Sequence, residues 1–99
     1  MFDWNETNIA HISEHDVQPE EAEEAITNKP VYLGYDTRNG EDRFLHIGET
    51  FAGRVLVVVV TPRNALTRVV TAFPANRAYR AFYVEERDVL YGEGEESSS

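Results

Sequence analysis

The sequence predicts an α+β domain: two N-terminal helices, a four-stranded antiparallel meander sheet and a C-terminal helix, in that order. Three observations carry this. Val55-Leu56-Val57-Val58-Val59-Val60 is an unbroken aliphatic run between Arg54 and Thr61, so both faces of that segment must be covered. From Val31 the apolar residues alternate, and Asn39-Gly40 stands between two such stretches, the strongest local hairpin signal in the chain. Before Val31 the apolar residues instead follow helical spacing, with Pro19 placed to open a helix.

Taken in order, Phe2-Asp3-Trp4 is a short lead-in. Asp3 with Glu6 resembles a capping box, which predicts a helix to about His15 with Ile9 and Ile12 on its inner stripe. Asp16-Val17-Gln18 breaks that helix. Pro19 starts the next, Glu20 and Glu21 favour its positive end, and Val17, Ala22, Ala25 and Ile26 form its inner face until Asn28 and Pro30 stop it. Val31, Leu33 and Tyr35 then read as one face of a strand, and the return strand runs from Arg43 to about Gly48. Thr50-Phe51-Ala52-Gly53 turns into Val55–Val60, the expected central strand. Its six residues are too few to span a membrane. Pro62-Arg63-Asn64-Ala65 turns again into Leu66–Phe73. Pro74 is expected to open the last helix, whose Ala75, Ala78, Tyr79, Phe82 and Tyr83 make a partly aromatic stripe. Residues 1–87 are expected to form the domain, and 88–99 an acidic, disordered tail.

Ninety-nine residues suffice for one small domain. Cysteine is absent, which removes disulfides and thiolate metal sites and fits a cytoplasmic protein. No signal peptide, membrane span or lipidation motif is expected from this sequence. The net charge of −9 is unevenly spread. Residues 1–28 carry eight acids and no Lys or Arg, whereas residues 29–80 carry eight bases against four acids. An arginine-bearing middle can therefore put a basic face on an acidic protein. The N-terminal helix pair, lacking any base, is not a DNA-reading module.

In this order the chain resembles the BrnT family of toxins from bacterial toxin–antitoxin pairs, over about residues 2–84. The resemblance rests on Phe2-Asp3-Trp4, on the stretch from Asn8 through His11, His15 and Pro19 to Ala22, and on Arg43-Phe44-Leu45-His46-Ile47-Gly48 leading into Gly53-Arg54-Val55. Arg68-Val69-Val70-Thr71-Ala72, then Pro74-Ala75 and a helix with Arg77, Arg80 and Tyr83, complete it. The resemblance implies a RelE-like fold, ribonuclease activity, and neutralisation by an antitoxin with a DNA-binding domain. This chain departs from the family pattern at three places. Glu14 stands where the family usually has Lys or Arg, Phe73 where it has Arg, and Tyr79 where it has Glu.

Metal-independent RNA cleavage needs a base, cations for the pentacoordinate phosphate, and an acid for the leaving oxygen. His15 is the first candidate base or acid, since imidazole ordinarily changes charge near neutral pH. A histidine near a helix C-terminus also serves simply to satisfy late carbonyls. Arg54, Arg68 and Arg80 are the catalytic cations expected beside it, with Arg43, Arg77 and Tyr83 as further RNA or phosphate contacts. The competing reading for Arg68 is a salt bridge to Glu49 or Asp42, and for Tyr83 a place in the aromatic stripe. His11 and His15 share a helix face one turn apart, but a metal would need His46 or Glu14 as well, and no metal or other cofactor is expected. Two functions follow: a BrnT-like ribonuclease, weakened by its lost cations, or a non-catalytic module that binds a protein partner through the acidic helices.

Overall fold

The aliphatic run lies in the middle of the sheet. In the computed structural model, which describes residues 1–92, the chain forms β1 (Phe2–Asp3), α1 (Glu6–Ser13), α2 (Pro19–Thr27), β2 (Val31–Arg38), β3 (Glu41–Glu49), β4 (Val55–Arg63), β5 (Leu66–Pro74) and α3 (Arg77–Tyr91). The strand order is β1-β5-β4-β3-β2, with β4 at the centre. Four antiparallel strands make the expected meander. A fifth, β1, adds to it in parallel at the β5 edge, so the sheet is mixed. Asp3 thus lies in a strand, opposite Arg68, and does not cap α1. Asn5 does, its side chain accepting from the Asn8 N–H at 2.9 Å.

Alternation along β4 divides the core in two. Leu56, Val58 and Val60 point to the side where α1 and α2 bury Ile12, Val17, Ala22 and Ala25. Val57 points the other way, to Val31, Ile47 and Tyr83 of α3. Each fully buried Val, Leu or Ile side chain among them contributes roughly 1.5–3 kcal/mol. The α2 backbone crosses β3 directly over Gly48, where a Cβ would fall 1.7 Å from the Ala25 carbonyl oxygen. Only glycine fits there.

The β2–β3 hairpin closes through Asn39 and Gly40, both at positive φ, as the Asn-Gly pair requires. The strand faces differ from the simple alternation. Register passes from Tyr32 opposite His46 to Gly34 opposite Leu45, so Leu33 is an extra, bulged residue. Tyr35 then lies opposite Phe44, on the same face as Tyr32 and not on that of Val31.

The other departures are at element ends. α1 stops at Ser13, two residues before His15, because Asp16 takes a left-handed conformation (φ 62°) and the Val17 N–H turns back to the Ile12 carbonyl. α2 begins with Pro19 as expected, and Glu21 accepts from the Gln18 N–H at 3.0 Å. Pro74 ends β5 and does not open a helix. α3 starts at Arg77, capped by Asn76, whose side chain accepts from Tyr79. Of the expected α3 stripe, Tyr83 is buried and Ala75 and Tyr79 are partly buried, but Ala78 and Phe82 are exposed. α3 also continues to Tyr91, past the boundary expected at residue 87. Two long-range contacts hold that extension: Tyr91 donates to the Pro30 carbonyl at 2.7 Å, and Arg87 to Glu49 at 3.0 Å. The expectation for residues 93–99 lies outside the described residues.

Candidate functional site

β1 pairs only with Thr67 and Arg68, so among the described residues the outer edge of β5 is bare from Val69 onward. The turn after α1 meets that bare edge. His15 is exposed on it, its ring 5.9 Å from His11 and 5.9 Å from Phe73 of β5. The turn is firmly placed: the His15 N–H reaches the Ile12 carbonyl at 2.9 Å, and Val17 is buried two residues later. Phe73, half-buried, therefore occupies the space beside His15.

The arginines fall into two groups. Arg54 donates from one terminal nitrogen to both Glu21 carboxylate oxygens, at 2.9 and 3.0 Å, and to the Asp16 carbonyl at 2.9 Å. It clamps the α1–α2 turn to the start of β4. The Gln18 backbone N–H, more than the Arg54 guanidinium, holds the Glu21 carboxyl below the usual carboxylate range, against the opposing effect of burial. Arg68 donates through two nitrogens to one oxygen of Asp3, at 3.1 and 2.8 Å, so its partner is neither Glu49 nor Asp42. Arg43 pairs with Glu41 at 3.0 Å. Arg63, Arg77 and Arg80 are exposed, and among the described residues none has an acidic partner.

Tyr83 lies fully in the core. Its hydroxyl donates to the Lys29 carbonyl at 3.3 Å, and Arg87 sits over its ring. Burial, reinforced by Glu49, pushes its phenol above the ordinary value. His46 lies on β3, separated by β4 from the β5 strand that His15 meets, opposite Val58 and Tyr32. Its Nδ1 is buried without a hydrogen-bond partner among the described residues, and burial pushes the imidazole below its ordinary pKa, partly offset by the Phe44 backbone. No group of three or more His, Asp or Glu among the described residues is placed to hold a metal ion.

The two sides of the sheet differ in charge. Register puts Arg43, Arg63 and Arg68 on the α3 side, together with the partners Glu41 and Asp3, and α3 itself carries Arg77, Arg80 and Arg87 beside Glu85, Glu86 and Asp88. The helix pair and its connecting turn on the other side carry Glu6, Glu14, Asp16, Glu20, Glu23 and Glu24. Sequence reasoning found the arginines but not their partners, which lie 33 residues from Arg54 and 65 from Arg68.

The molecule is thus a small α+β domain with a helix-end histidine at the edge of an arginine-bearing sheet. The profile of the BrnT ribonuclease toxins of type II toxin–antitoxin systems matches residues 4–78, and the chain belongs to that family. No curated protein matches it significantly. Among the described residues no helix is long and apolar enough to cross a membrane.

Proposed function

We propose that this chain is the toxin-family member of a toxin–antitoxin pair whose ribonuclease chemistry is weakened, and that it acts as a cytoplasmic partner of an antitoxin carrying a DNA-binding domain. Family membership supports the class, and the contact between His15 and Phe73 carries the weakening. A phenyl ring, which can neither donate a hydrogen bond nor neutralise a phosphate, fills the place beside His15 where the family pattern puts a guanidinium. Glu14, adjacent in the chain, repels a phosphate approaching the same edge. In this reading His15 remains the acid or base with Arg80 as a catalytic cation, Arg77 supplies an RNA contact, and Arg43 does so after releasing Glu41. Arg54 and Arg68, held by Glu21 and Asp3, act on the phosphate only after exchanging those partners. Tyr83 contributes through the packing of α3 and not by touching RNA.

Losing one charge-stabilising donor from such a site costs about 10²-fold in rate. Cleavage of structured and unstructured RNA by the unmodified chain, Phe73→Arg, Glu14→Lys and the double variant tests this. The expected result is little or no cleavage by the parent and a gain in the variants. Efficient cleavage by the parent that His15→Ala abolishes would refute the weakening. The alternative is a non-catalytic module with the same fold, favoured by the carboxylate partners of Arg54 and Arg68. It takes over if no variant gains activity and no RNA binding appears at low salt.

A further inference from the structure

The bulge at Leu33 has built an exposed aromatic platform. Tyr32 lies opposite His46 and Tyr35 opposite Phe44, and His46 and Phe44 are two apart on β3, so all four rings share one face. The rings meet in pairs: Tyr32 and His46 edge to face at 5.6 Å, Tyr35 and Phe44 tilted at 5.4 Å. Phe44 packs against the core below, whereas Tyr32 and Tyr35 are 55% and 54% exposed. Tyr35 is fixed in place, its hydroxyl donating to Asp42 at 2.6 Å and accepting from Thr37 at 2.7 Å. Without the bulge the two tyrosines, three residues apart, would point to opposite sides of the sheet.

We infer that this platform binds a cationic polypeptide segment, one that lays arginine or lysine side chains over the tyrosine faces. Charge selects that occupant. The platform opens on the side of the acidic helices, where Arg54 is already paired with Glu21, and the exposed Lys29 lies three residues before Tyr32. Asp42 stands at the rim, within hydrogen-bonding reach of the Tyr35 hydroxyl, where it can receive a guanidinium stacked on that ring. Fixed tyrosines offer a large contact area at little entropic cost. A nucleic acid could stack on the same rings, but Asp42 at the rim would repel its phosphates, while among the described residues the arginines without an acidic partner lie on the α3 side. The inference stands apart from the ribonuclease reading, which uses the β5 edge and the α3 side.

The test titrates the full chain with a nonaarginine peptide, and separately with a twelve-nucleotide oligouridylate, following backbone amide chemical shifts. The peptide should shift Tyr32, Tyr35 and His46, and the RNA should leave them unmoved. Tyr32→Leu and Tyr35→Leu, which change no charge, should each weaken the peptide by about threefold to tenfold, while Tyr32→Phe keeps its affinity. Equal binding by the Leu variants, with shifts confined to α1 and α2, would reduce the interaction to acid attraction and overturn the proposal. RNA shifting the platform amides would overturn it in favour of a nucleobase site, and so would peptide failing to bind. If a Leu variant does not fold, the shift map of the unmodified chain decides alone.

Discussion

Gly48→Ala should unfold this protein far more readily than its one added methyl suggests. The new Cβ would stand 1.7 Å from the Ala25 carbonyl oxygen, 2.6 Å from its carbon and 3.1 Å from its Cα. All three are α2 backbone atoms, so no side-chain rotation relieves the clash. α2 must lift by more than an ångström, loosening Ala22 and Ala25 from the core they seal with Leu56 and Val58. Overpacking of this kind costs about 1–3 kcal/mol, and the upper end applies because backbone opposes backbone. A domain this size shifts by roughly 4–8 °C per kcal/mol, so a loss of some 12–24 °C is expected. Thermal unfolding followed by circular dichroism measures it, and Gly34→Ala is the control, since nothing lies within 4 Å of its Cβ. Ala25→Gly should not rescue Gly48→Ala, because the clashing atom is the carbonyl and not the methyl. A Gly48→Ala protein melting within two degrees of the parent would show that α2 does not cross β3 there.

Val58, fully buried at the sheet centre, should tolerate no charge. Val58→Asp costs several kcal/mol, comparable with the roughly 5–15 kcal/mol that holds a domain together, and is expected to be insoluble or unfolded by circular dichroism. Arg54→Ala should lower stability by about 1 kcal/mol, since the pair with Glu21 is partly screened by solvent. Because the folded protein holds Glu21 below its ordinary pKa, that carboxyl's contribution is present above the usual carboxylate range and is lost as pH falls through the lowered value. His46 acts in a different window. The folded protein holds its imidazole below the ordinary value of ~6.5, so its contribution is present above that pH and is lost as pH falls through the lowered value. Denaturant midpoints between pH 7.5 and 5.5 should fall for the parent and flatten for His46→Phe; parallel profiles would rule this out.

Where residue chemistry acts locally, the fold was legible. Asn39-Gly40 closes the hairpin, Pro19 starts α2, and the aliphatic run lies at the sheet centre with helices on both sides. β1 could not be read, because two residues carry no periodicity and their partner strand lies some 65 residues away. The bulge did leave a signal. An isolated glycine inside a strand marks such sites, and Gly34 follows the extra residue directly. The last helix began late because Pro74 suits the end of an edge-exposed strand as well as the start of a helix. At the candidate site, histidine and arginine chemistry could be read from residue type. Whether an arginine is available to a ligand depends on which carboxylate folds against it, and neither Glu21 for Arg54 nor Asp3 for Arg68 is near in sequence.

The parallel pairing of β1 with β5 also fixes when the molecule can be finished. Phe2 and Asp3 are made some 65 residues before their partners, Thr67 and Arg68. At a synthesis rate of ~5–20 residues per second, the N-terminus waits roughly 3–13 s before its partner strand exists. Through that interval α1 and α2 have no completed sheet to bury against, because β5 supplies Val69 and Ala72 to their core. The native sheet therefore closes only once β5 has left the ribosome. Of the described strands, β1 waits longest for the strand it pairs with.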